Sequence, residues 1–137
     1  MSPPQDPRPP APVTVSPFKS RSGLQRVWRA AGYSWAGLVA AFRHEAAFRQ
    51  ELLVGVPALV IAWWVAPGRL EAVLLSAAVL FVWIVELVNS AVEALADAVS
   101  TAHHPLLGRA KDLGSAAVLL SLVLAVGVWV AVLWPGR

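Results

Sequence analysis

The sequence predicts an all-α integral membrane protein, with three transmembrane helices preceded by an amphipathic helix at the membrane surface. Three observations predict it. The 137 residues are 58% apolar, against roughly 45–50% in soluble globular proteins. Charged residues make up 14%, where roughly 25% is usual, too few to build a water-facing surface without large apolar patches. The apolar residues also collect into three long runs separated by short polar breaks. The net charge of +3 sits beside those runs, so its partner is a membrane surface and not nucleic acid. With no cysteine, disulfides, thiolate nucleophiles and cysteine-ligated metals are excluded.

Residues 1–20 hold seven of the 11 prolines and no apolar periodicity, a composition that neither continues a helix nor forms a core, so a disordered Pro-rich tail is expected there. It lacks the apolar stretch of a secretory signal. Residues 21–137 form the membrane domain. Over residues 22–50, Leu24, Val27, Trp28, Ala31, Trp35, Leu38 and Phe42 recur at helical spacing with Arg26, Arg29, Arg43 and Arg49 between them, the pattern of a surface helix whose aromatics reach the acyl boundary while arginines meet phosphates. Gly32 and Gly37 weaken a single straight helix and leave two shorter pieces as an alternative.

The three spans are expected at about 51–66, 70–99 and 113–134, the last with 22 residues and no charge. Pro67-Gly68 makes the turn between the first two. Lys and Arg cluster before the first span and at Arg109 and Lys111, with Arg69 and Arg137 alone on the other side. The positive-inside rule then puts the N-terminus and second loop in the cytoplasm.

Glu86 lies inside the second span, where a carboxylate costs roughly 2.5–3.5 kcal/mol and needs a reason. At 100° per residue Asn89, Ser90, Glu93 and Asp97 share its face. Interhelical hydrogen bonding is one use for such a stripe. The other is chemistry: two stacked glutamates repel unless a proton, a cation or an arginine stands between them. Oxygen ligands alone suit Mg²⁺, which takes one or two carboxylates plus substrate phosphates, and Glu45 is the natural second carboxylate. Arg109 and Lys111 are placed to neutralise a polyphosphate, although the segment 108–115 also reads as simple positive-inside punctuation. Adjacent His103 and His104 raise a zinc site, but without a third ligand nearby they read as structural. No phosphate-loop or protein-kinase motif occurs, so ATP chemistry would need another scaffold.

The segments Ala30-Ala31-Gly32-Tyr33-Ser34-Trp35, Glu45-Ala46-Ala47-Phe48-Arg49-Gln50-Glu51, Val85-Glu86-Leu87-Val88-Asn89-Ser90-Ala91-Val92-Glu93 and Gly108-Arg109-Ala110-Lys111-Asp112-Leu113-Gly114-Ser115 resemble the prokaryotic integral-membrane diacylglycerol kinase family, over about residues 22–135. The resemblance implies a homotrimeric enzyme of the bacterial inner membrane that phosphorylates diacylglycerol with Mg-ATP. It places the general base on Glu86, metal ligands on Glu45 and Glu93, and nucleotide contacts on Arg26, Tyr33, Glu45, Glu93, His104, Lys111 and Asp112. It places lipid contacts on Ala30, Ala31, Gly32, Tyr33, Ser34, Trp35, Ala47, Phe48, Arg49, Gln50, Glu51, Trp64, Glu86, Asn89, Ser115 and Trp129. Ala72, Ala98, Ala102 and Pro105 depart from the family's pattern, and none falls on the Glu86–Glu93 pair. A polyprenol kinase acting on undecaprenol and a non-catalytic membrane assembly protein are the alternatives.

Overall fold

The computed structural model describes residues 23–100, 102 and 104–134; the Pro-rich tail, His103 and the C-terminal arginine lie outside them. Four helices follow one another: α1 (Gly23–His44), α2 (Ala46–Val65), α3 (Arg69–Val99) and α4 (Pro105–Leu133). The last three are long and apolar enough to cross a membrane. Among the described residues, those up to Ala36 and those from Gly37 onward fall into two units, so α1 belongs in part to each.

Helix α1 runs unbroken through Gly32 and Gly37 and stops at His44, which sets aside the two-piece alternative and corrects the expected end at residue 50. A helical glycine costs about 1 kcal/mol relative to alanine, which weakens a helix without ending it. The chain bends one residue later, where Glu45 takes extended angles, φ −101 and ψ 115. Arg49 fixes the bend by donating from Nη1 to the carbonyls of Phe42 at 3.1 Å and Arg43 at 3.3 Å. Its charge meets the negative end of the α1 dipole and satisfies two carbonyls that the helix end orphans.

The other helix ends are set by local chemistry. Gly68 precedes α3 in extended conformation, and Glu71 folds back on it so closely that a Cβ there would meet Glu71 Oε2 at 2.6 Å. His104 caps α4 by accepting at Nδ1 from the Leu106 amide at 3.3 Å. Pro105 occupies the first helical position, where a missing N–H costs nothing. Helix α4 therefore begins eight residues before its charge-free stretch, and carries Arg109, Lys111 and Asp112 on helical backbone.

Helix α3 packs against both α2 and α4. The core is a seam of Phe48, Ala62, Ala72, Leu75, Val79, Val82 and Ala96. Between α2 and α3, Gly55 leaves room for the Trp83 indole, whose ring would lie 2.7 Å from a Cβ at that position. From α4, Trp129 Nε1 donates to the Leu75 carbonyl at 3.2 Å. Gly55→Ala is therefore expected to destabilise the bundle by about 1–3 kcal/mol through overpacking, read as a lower thermal midpoint in detergent. Gly127→Ala, which meets nothing within 4 Å, should leave it unchanged or raise it.

Candidate functional site

The polar stripe of α3 sits where the three packed helices converge. Glu86 is 3% exposed and Asn89 8%; Ser90 and Glu93 are half-buried and Asp97 is exposed. Burial thus declines along one face toward the α4 N-terminal end. With Arg69 at one membrane interface, Glu86 lies about 25 Å along the helix and Glu93 about 36 Å. A hydrocarbon layer about 30 Å thick that began at Arg69 would enclose the first and end before the second.

Neighbouring helices bring further charges to this stripe. The antiparallel register that sets Gly55 beside Trp83 also sets Glu51 near Glu86 and Glu45 level with Glu93. The charges of Glu93 and Glu45 both act on Glu86, and that of Glu86 acts on Glu51. From α4, Lys111 Nζ donates to Asp97 Oδ1 at 2.6 Å, and Glu93 also acts on that lysine. Asn89 ties the stripe together by donating from Nδ2 to Glu93 Oε1 at 3.2 Å. Three buried atoms here, Glu51 Oε2, Asn89 Oδ1 and Ser90 Oγ, have no hydrogen-bond partner, and such groups cost stability unless a ligand or water satisfies them.

Glu45, Glu51 and Glu93 each act on or are acted on by Glu86, and Lys111 is engaged by Asp97, which makes the stripe negative and rich in oxygen. The donor set fits Mg²⁺ held by one or two carboxylates and completed by phosphate oxygens and water. Among the described residues, no group of three or more His, Asp or Glu stands together as a protein-only metal cage. His103 lies outside the described residues, and His104 uses its Nδ1 to cap α4.

The remaining sequence-predicted residues divide by location. Arg26, Ala30, Ala31, Gly32, Tyr33, Ser34 and Trp35 are exposed on the part of α1 that belongs to the first unit. Ala47 and Gln50 are exposed near the start of α2, Phe48 is buried in the core at 3% exposure, and Arg49 holds the bend. Asp112 and Ser115 are exposed on α4. Trp64 is not brought to the carboxylates, whereas Trp129 shares a cleft with Glu51. Trp64 is 84% exposed and lies about 20 Å along α2 from Glu51, while the Leu75 carbonyl that holds Trp129 lies about 16 Å from Glu86. The cleft that Trp129 lines is apolar, about 520 Å³, between α2, α3 and α4, with Gln50 and Glu51 among its few polar residues. The sequence reading missed two contributions, the Asp97 partner of Lys111 and the glycine facing Asn89. Both need the register between helices, which no spacing within one helix reveals.

Residues 32–133 match the family model described as prokaryotic diacylglycerol kinase. The chain belongs to the prokaryotic diacylglycerol kinase family. It is 50% identical over 113 residues to a diacylglycerol kinase of Escherichia coli strain K12, covering 82% of this chain and 93% of that one. A diacylglycerol kinase of Pseudomonas aeruginosa strain PAO1 is 48% identical over 121 residues, 88% of this chain and 98% of its own. One from Haemophilus influenzae is 37% identical over 113 residues, 82% and 96% of the two chains. With three spanning-length helices, this family member is a membrane protein.

Proposed function

We propose that the protein is a diacylglycerol kinase that transfers the γ-phosphoryl group of Mg-ATP to the free hydroxyl of diacylglycerol at the cytoplasmic face of the bacterial inner membrane, giving phosphatidic acid. The observation that carries this is the graded stripe on α3, a carboxylate inside the hydrocarbon layer and another beyond it, in a chain half identical to kinases for that lipid. A lipid hydroxyl lies just inside the interface, whereas a nucleotide stays in water. The two carboxylates stand where those two substrates meet.

The division of labour follows from depth. Glu86 accepts the hydroxyl proton as the lipid oxygen bonds to phosphorus and the bond from phosphorus to the ADP oxygen breaks. Glu45 and Glu93 would hold Mg²⁺, which would supply charge neutralisation for the transferring phosphoryl group. Lys111, released from Asp97, meets the phosphates, with Arg26 as a further cation and Tyr33, His104 and Asp112 as nucleotide contacts. Asn89 and Ser115 flank the lipid hydroxyl. Helix α1 lies on the membrane surface, its arginines among lipid phosphates, and residues 30–35, 47–51, Trp64 and Trp129 meet the lipid. The bias of Lys and Arg toward the N-terminus and the α3–α4 connection supports the cytoplasmic placement.

The assay is purified protein in mixed micelles with labelled ATP, offered dioleoylglycerol and undecaprenol separately. Label is expected in phosphatidic acid. Transfer to undecaprenol alone, or no transfer to either, would overturn the assignment.

A three-helix subunit is too small to enclose ATP and a lipid, so the working unit is a homotrimer with sites built from more than one chain. Mixing inactive Glu45→Gln subunits with inactive Glu86→Gln subunits is then expected to restore part of the activity. Mixed trimers that form, as shown by differential tagging, and stay inactive would count against sharing between these positions.

A further inference from the structure

Helix α4 carries three glycines among the described residues, and they differ in what surrounds them. At Gly108 and Gly127 a Cβ would meet nothing within 4 Å. At Gly114 it would run into Asn89 Oδ1 and lie 3.3 Å from Asn89 Cγ. The colliding atom belongs to a short side chain that is 8% exposed and whose other amide atom is engaged, Nδ2 donating to Glu93 Oε1 at 3.2 Å. Asn89 Oδ1 has no hydrogen-bond partner, so no polar contact holds it toward α4. It rests against Gly114, where the α4 backbone carries no side chain to exclude it.

We propose that Gly114 is a positioning residue for the Glu93 carboxylate, acting through Asn89. The inference rests on Glu93 being a metal ligand, as assigned above. A methyl group at residue 114 must displace the Asn89 amide. The amide has two ways to move, rotating its ends or swinging its plane, and both take Nδ2 away from Glu93 Oε1. Glu93 then loses the donor that fixes which oxygen faces the cation. Outer contacts of this kind orient a ligand's lone pairs, and losing one typically costs 10–100-fold in metal affinity or activity. Intrinsic propensity argues the opposite way, since alanine is favoured over glycine inside a helix by about 1 kcal/mol. Helix propensity by itself would therefore make Gly114→Ala and Gly127→Ala alike.

The test uses the full-length protein assembled in detergent micelles, with Mn²⁺ binding in the presence of an unreactive methylene analogue of ATP read from the electron paramagnetic resonance of free Mn²⁺. Gly114→Ala is expected to raise the Mn²⁺ dissociation constant roughly tenfold, the lower end of that range, and Gly127→Ala to leave it unchanged. Asn89→Ala should raise it to a similar degree. In the Asn89→Ala background the Gly114→Ala change should add nothing, because the atoms it meets have gone. Wild-type affinity in Gly114→Ala, with weakened binding in Glu93→Gln, overturns the proposal and leaves the metal site intact. Unchanged binding in Glu93→Gln overturns the metal reading itself. Losses that add in the double variant mean that Gly114 acts without Asn89, and also overturn it. Should Gly114→Ala fail to assemble, the double variant carries the test: assembly with the affinity of Asn89→Ala supports the proposal, and failure to assemble overturns it.

Discussion

Replacing Glu86 with Gln is expected to lower kcat by roughly 10²–10⁴-fold, the range a positioned general base contributes, with little change in the apparent KM for Mg-ATP. Glutamine keeps the shape of the side chain and removes its ability to take a proton. The residue is 3% exposed and packed where α2, α3 and α4 converge, so the isosteric change leaves the packing in place. Water is a poor substitute acceptor at a site enclosed by helices. The nucleotide is held nearer the Lys111 end of the bundle, about 10 Å further along α3, so its binding should survive. Steady-state kinetics with dioleoylglycerol, varying ATP at saturating Mg²⁺, separates the two parameters.

Glu93→Gln is expected to fail differently. Loss of a metal ligand should raise the Mg²⁺ concentration needed for half-maximal rate, and the apparent KM for ATP with it, by at least the 10–100-fold that loss of an outer contact alone costs. Part of the kcat should return at high Mg²⁺, because the base and the lipid site are untouched. The Asn89 donor that now bonds Glu93 Oε1 at 3.2 Å can still meet the glutamine carbonyl, so the helix face stays ordered. A Mg²⁺ titration at several ATP concentrations checks this, and a loss of kcat that no Mg²⁺ concentration repairs would contradict the ligand role.

The parts of this fold that were legible in the sequence are those set within one helix. Fifteen uncharged residues from 52 to 66 and 22 from 113 to 134 mark spans because hydrocarbon tolerates little else. Glu86, Asn89, Ser90 and Glu93 fall on one face because the helix turns 100° per residue. What was not legible depends on contacts between segments. The bend at Glu45 carries neither glycine nor proline; it exists because Arg49 reaches back to Phe42 and Arg43, an arrangement that presupposes the bend it stabilises. Gly32 and Gly37 lie inside an unbroken α1, since a helical glycine costs only about 1 kcal/mol and weakens a helix without ending it. The start of α4 at Pro105 was hidden for another reason. Polar residues before 113 end an apolar run without ending a helix, and His104 with Pro105 supplies the cap eight residues earlier. Asp97 and Lys111 are each visible as charges, but their pairing at 2.6 Å needs the antiparallel register of α3 and α4. Gly114 is indistinguishable from Gly108 and Gly127 until that register places Asn89 against it.

The separation of a deep proton acceptor from a shallow metal and nucleotide site is tested most directly by measuring Mg-ATP binding and single-turnover transfer on the same preparation of Glu86→Gln. Binding close to that of the unaltered enzyme, with transfer to dioleoylglycerol slowed by at least about a hundredfold, is the predicted result. Transfer at near-normal rate, or a loss of nucleotide binding as large as that of Glu93→Gln, would contradict it.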